Sequence, residues 1–125
     1  MATIRTILVV EDSPTELAMV CDCLRGAGYA VLLAADGTQA QAQMASGPID
    51  LIVMDLILPD MNGYDLFRTF QRDERTKAVP VVMLTQRVSM PEEYYGRTLG
   101  AAAYLKKPFQ ADLLLQEAQR FAPLN

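Results

Sequence analysis

Several side chains able to do chemistry share one local setting: each stands at the end of a largely apolar run. Glu11 and Asp12 follow Thr6-Ile7-Leu8-Val9-Val10, Asp55 follows Leu51-Ile52-Val53-Met54, Thr85 follows Val79 to Leu84, and Lys107 follows Ala103-Tyr104-Leu105-Lys106. Three carboxylates drawn into one cleft repel each other unless a cation neutralises them. A small set of oxygen ligands suits Mg²⁺, which keeps several waters and takes one or two carboxylates together with phosphate. A hydroxyl and an ammonium suit the outer oxygens of a phosphoryl group, with lysine acting as a point charge. Carboxylate nucleophile, Mg²⁺ and lysine together describe phosphoryl transfer by positioning and charge neutralisation. Taken singly, Thr85 reads as a strand-end cap and Glu11-Asp12 as acids that favour a helix N-terminus. Asp55 resists such a reading, because it ends an apolar strand where a lone charge is expensive. The chain contains no histidine, which removes the usual general base and any Ser/His or Cys/His nucleophile pair.

The elements that must position these residues follow from periodicity. The run 6–10 is β-branched and nearly continuous, as in a strand buried on both faces. Ser13-Pro14-Thr15-Glu16 then carries a Ser cap, Pro at the first helical position and an acid three residues on, which predicts a helix with the stripe Leu17, Val20, Cys21 and Leu24, stopped by Gly26 and Gly28. Further strands are predicted over 29–33, 51–54, 79–84 and 103–106. Helices are predicted over about 36–44, around Leu66, Phe67 and Phe70, from Ser89 towards Leu99, and over about 110–121 with Leu114, Ala118 and Phe121 inward. Alternating strands and helices imply an α/β fold, a parallel sheet with helices on both faces. In such sheets ligands sit beyond the carboxyl ends of the strands. That is where the five residues stand.

The 125 residues suffice for one domain with a proper core, expected to span 1–125. Hydrophobic residues make up 51% and charged residues 21%, a soluble globular composition. The formal charge of −4 disfavours direct binding to nucleic acid or to an anionic membrane. No signal peptide and no apolar run of about 20 residues is present, so a cytoplasmic protein is expected. Cys21 and Cys23, two apart on a helix, face different ways and read as small apolar residues.

The segments Val10-Glu11-Asp12-Ser13, Met54-Asp55-Leu56-Ile57-Leu58-Pro59 with Asn62-Gly63, Leu84-Thr85, and Gly100-Ala101 through Tyr104-Leu105-Lys106-Lys107-Pro108-Phe109 resemble the receiver domain of two-component response regulators, in order and over essentially the whole chain. The resemblance implies a flavodoxin-like sheet of order 2-1-3-4-5 with five helices, the order being carried over from the chemotaxis receiver. It implies Asp55 as phosphoacceptor. Asp12, Asp55 and the backbone carbonyl of Ile57 would hold Mg²⁺, with Glu11 acting through a metal-bound water. Thr85 and Lys107 would meet the phosphoryl group, and Tyr104 would be an aromatic switch. Lys106 is read as a solvated neighbour, and the Lys107-Pro108 bond is expected to be cis. The implied donor is a sensor histidine kinase, CheA-like or otherwise. The implied reader is a protein partner on the face of the fourth helix, fifth strand and fifth helix. Ser13-Pro14-Thr15-Glu16-Leu17 and Tyr95-Gly96-Arg97 are similar to stand-alone regulators of type IV pilus twitching and phototaxis systems.

Two other classes share parts of this pattern. A haloacid dehalogenase-type phosphatase also uses an Asp nucleophile and Mg²⁺, but wants the nucleophile after the first strand and a second acid two residues on, where this chain has Ile57. A flavodoxin-like electron carrier wants a Ser/Thr/Gly-rich phosphate cradle after the first strand, where this chain has Glu11-Asp12. A signalling receiver without an enzymatic output of its own is the expected function.

Overall fold

A computed structural model describes residues 4–85 and 100–124, with the side chain of Thr85 outside the described set. Five strands lie in one sheet: β1 Thr6–Val10, β2 Ala30–Ala34, β3 Leu51–Met54, β4 Val81–Thr85 and β5 Ala103–Lys106. Their order is β2-β1-β3-β4-β5 and every pairing is parallel, as the flavodoxin-like expectation required. Four helices occur among the described residues: α1 Pro14–Gly26, α2 Gly37–Gln43, α3 Gly63–Arg72 and α4 Ala111–Phe121. The helix expected from Ser89 to Leu99 lies outside the described residues, so α4 is the last of the five expected helices.

Side-chain alternation sorts the sheet into two faces. Ile7, Val9, Leu51, Val53, Val82, Leu84 and Ala103 join Val20, Cys21 and Leu24 of α1 and Leu114 and Ala118 of α4 in one core. Leu8, Val10, Ile52, Met54, Val81 and Met83 join Ala40 of α2 and Leu66, Phe67 and Phe70 of α3 in the other. Strands covered on both faces leave room for chemistry only at their ends.

The boundaries move where local chemistry dictates. Pro80 has no N–H for the ladder, so β4 begins at Val81 and not at Val79. The Tyr29 N–H is taken by the Leu24 carbonyl at the end of α1 (3.1 Å), so the ladder of β2 starts one residue later, at Ala30, while the buried Tyr29 hydroxyl donates to the Ala122 carbonyl (2.8 Å). Gly26 remains the last helical residue of α1; the left-handed residue that turns the chain is Gly28, at φ 108°. Asp36 and Asn62 cap α2 and α3 by accepting from the N–H groups of Gln39 (2.7 Å) and Tyr64 (2.8 Å).

The segment between β3 and α3 is tied down at both ends. Ile57 and Asn62 form an isolated antiparallel bridge, and the Gly63 N–H donates to the Leu56 carbonyl (2.9 Å). Asp60 accepts from the Gly37 N–H (2.9 Å), the Thr38 N–H (3.0 Å) and the Thr38 hydroxyl (2.8 Å), and these bonds hold its carboxyl below the ordinary range. Met61 lies over Gly37.

A Cβ on Gly63 would stand 2.6 Å from the Cα of Leu56, backbone against backbone, whereas one on Gly37 would meet only the flexible Met61 side chain. Gly63→Ala is therefore expected to lower unfolding free energy by about 1–3 kcal/mol, the usual cost of overpacking. Gly37→Ala should cost less, because a thioether chain moves aside. Urea denaturation of both variants tests the contrast, and equal stability would contradict it.

Candidate functional site

Register brings the strand ends level. Val10 pairs with Met54, so Glu11 and Asp55 leave the sheet side by side; the Asp55 N–H still donates to the Val10 carbonyl (2.9 Å) and the Glu11 N–H to the Ala34 carbonyl (3.0 Å). Continuing the alternation past each strand places Glu11 with Ile7 and Val9, Asp55 with Leu51 and Val53, and Lys107 with Ala103 and Leu105, all on the face covered by α1 and α4. The three meet there. Lys107 Nζ donates to Glu11 Oε2 (2.5 Å), Asp55 Oδ2 (2.6 Å) and Glu16 Oε2 (2.6 Å). Glu11, Asp55 and Lys107 are buried, while Lys106 is exposed, as expected of a solvated neighbour. The Lys107-Pro108 peptide is cis, as expected.

Burial pushes the Glu11 carboxyl up to about 7, with the hydrogen bonds from Lys107 and from the Ser13 N–H (3.1 Å) pulling the other way. Burial disfavours the charge on Lys107, yet its bonds to Asp55, Glu11 and Glu16 outweigh that and hold its pKa above the ordinary lysine value. The other oxygen of Asp55, Oδ1, accepts from the Ile57 N–H (3.0 Å).

Glu11, Asp12 and Asp55 each offer an oxygen within 4.8 Å of the others, a grouping able to hold one cation. Asp12 is exposed and the other two are buried. They open on a cleft of about 300 Å³ lined also by Ser13, Glu16, Ile57 and Lys107. Hard carboxylate oxygens on one side and open room for waters on the other fit Mg²⁺ better than a closed all-protein cage would. Ile57 stands at the lip of this cleft, 53% exposed.

Three parts of the expectation turn out differently or fall elsewhere. Glu16 does not close a capping box. Ser13 Oγ accepts from the Glu16 N–H (3.4 Å), but Glu11 takes the Ser13 N–H and the Glu16 side chain turns to Lys107. The missed signal is spacing: Glu16 lies four residues before Val20, on the side of α1 that packs against the sheet. Tyr104, half-buried, sits with the opposite core, where its hydroxyl lies 2.8 Å from that of Tyr64 on α3. The helix expected from Ser89 to Leu99 and the side chain of Thr85 lie outside the described residues. Among the described residues no helix is long and apolar enough to cross a membrane.

Residues 7–119 match the family described as the response regulator receiver domain. The chain is similar to protein PilH of Pseudomonas aeruginosa, 34% identical over 110 residues that cover 88% of this chain and 91% of PilH. That relative is in keeping with the resemblance to pilus-system regulators. This chain is also 38% identical to the DNA-binding regulator RpaA of Synechocystis over 87% of its own length, but spans only 45% of that protein. Among solved structures, the chemotaxis response regulator CheY4 of Vibrio cholerae is 34% identical with a TM-score of 0.88, covering 95% of this chain and 99% of that one. The receiver domain of a sensor histidine kinase from Pseudomonas aeruginosa, with a magnesium ion coordinated in its active-site cleft, is 34% identical with a TM-score of 0.85, covering 95% and 98%. The acidic cleft thus lies at the carboxyl ends of a sheet shared with these proteins, and the chain belongs to the response regulator receiver domain family of two-component signalling.

Proposed function

We propose that this chain, acting as a single receiver domain over 1–125, accepts a phosphoryl group on Asp55 from the phosphohistidine of a sensor histidine kinase in a Mg²⁺-dependent reaction. The change of state then controls a protein partner, in a cytoplasmic motility or taxis pathway. The observation that carries this reading is the convergence of Asp55, Glu11 and Lys107 beside Asp12 in one open cleft.

Asp12, Asp55 and the carbonyl of Ile57 would hold the metal, with Glu11 acting through water. When bound, Mg²⁺ supplies positive charge to the phosphoryl oxygens. An Asp55 carboxylate oxygen forms the new O–P bond while the P–N bond of the donor breaks. The imidazole leaves with the electron pair and takes a proton. Lys107 moves one of its N–H bonds from a carboxylate to a phosphoryl oxygen, and Thr85 offers a hydroxyl. Tyr104, held against Tyr64, is the switch, read with the last helix by the partner. The chain catalyses only its own phosphorylation and dephosphorylation.

Three outcomes follow from these roles. Asp55→Asn, nearly isosteric but a poor nucleophile, should lose all labelling by Mg²⁺ and acetyl phosphate while keeping its fold; intact-protein mass spectrometry decides, and undiminished labelling refutes the assignment. In metal-free protein the Glu11 contribution to stability is fully present below its ordinary value of 4.5 and lost as pH rises through about 7. Chemical denaturation in chelator should therefore show stability falling over that window, with Glu11→Gln flattening the fall; equal slopes in both proteins would refute the assignment. The phosphorylated protein should decay over minutes rather than seconds, because the Ile57 side chain offers no hydrogen bond to align a water. Ile57→Asn should speed decay severalfold; a wild-type lifetime of seconds, unchanged by the substitution, rules that role out.

A further inference from the structure

An ammonium has three N–H donors and no acceptor, and all three of Lys107 are taken, by Glu11, Asp55 and Glu16. The three acceptors are not equivalent. Glu11 and Asp55 come from strand ends, are almost fully buried and belong to the group able to hold a cation. Glu16 comes from the first turn of α1, its side chain is 32% exposed, and it stands outside that group. Its side chain is also released from helix capping, because Glu11 takes the Ser13 N–H. Among the described residues, Glu16 therefore reaches the reacting groups through Lys107.

We propose that Glu16 is a positioning residue that, through Lys107, sets metal affinity and phosphoryl affinity in opposite directions. This rests on the reading of the cleft as a Mg²⁺-holding phosphoacceptor site. Charge that Lys107 gives to Glu16 is withheld from Glu11 and Asp55, whose oxygens a cation needs. Removing Glu16 lets the ammonium tighten on those two and takes one negative charge from the rim, and both effects weaken cation binding. A phosphoryl group, in contrast, must displace a carboxylate from a saturated ammonium and approach Glu16 as a like charge. Without Glu16 one donor is open and the repulsion is gone, so the anion binds more tightly. A part-exposed ion pair shifts an equilibrium by up to about fivefold, which sets the scale.

The test uses the full chain as wild type, Glu16→Gln and Glu16→Asp. Mg²⁺ alone is titrated by following the amide signals of Glu11 and Asp55, and beryllofluoride is then titrated at Mg²⁺ saturating for each protein. In Glu16→Gln the Mg²⁺ dissociation constant should rise and the beryllofluoride half-saturation point should fall, each by about three- to fivefold. Glu16→Asp, which keeps the charge, should return both values towards wild type. A merely structural role would weaken both ligands together. Both affinities unchanged, or both weakened, overturns the proposal while wild-type binding of both ligands leaves the phosphoacceptor reading standing. Wild-type protein that binds neither ligand overturns both.

Discussion

The ammonium of Lys107 permits the rest of the site to exist. Two like charges about 4 Å apart at an effective dielectric near 20 repel by about 4 kcal/mol, and Glu11 and Asp55 are brought together at the sheet edge with little water around them. A buried lysine is costly by itself for the same reason. Each charge is tolerable because the others are there, and the cost of removing one partner falls on those left behind. Lys107 reaches its place because β5 presents alternate residues to the face covered by α1, and because its neighbour Lys106 points the other way, into solvent. A one-residue slip of β5 against β4 would exchange the two lysines and leave the carboxylates uncompensated.

Much of this was legible in the residues because strand ends and alternation are local properties. The runs before Glu11 and Asp55 are apolar and uninterrupted and the one before Lys107 is broken only by Lys106 at its end, so the ends are readable, and β3 and β5 span the residues expected of them. Pro80 and Tyr29 moved other boundaries through one missing donor and one N–H taken by the Leu24 carbonyl at the end of α1. The first could have been read from sequence; the second depends on how the end of α1 closes.

Glu16 shows why one signature can stand for two structures. An acid three residues after a Ser cap serves equally to accept a backbone N–H or to reach across to a lysine on another strand. Which it does depends on whether another acceptor already holds the Ser13 N–H, and here Glu11 does. The pairing of Tyr64 with Tyr104 was hidden for a related reason. Tyr64 lies in the first turn of α3, where many polar residues would serve, and its hydroxyl meets that of Tyr104 forty residues away, which nothing local announces.

The segment from Leu56 to Asn62 belongs mechanically to two bodies. At one end the Ile57 N–H rests on Asp55; at the other, Asp60 holds the first turn of α2 by three hydrogen bonds and Met61 fills the space over Gly37. Its two ends are joined by the bridge from Ile57 to Asn62, so it bends less readily than an open loop of the same length. Such a segment works as a lever arm: displacement at the Asp55 end arrives at α2 as a tug on its N-terminus, on the side of the sheet away from Lys107 and α1. A partner that grips α2 would therefore brace the arm and stiffen the surroundings of Asp55 from a distance.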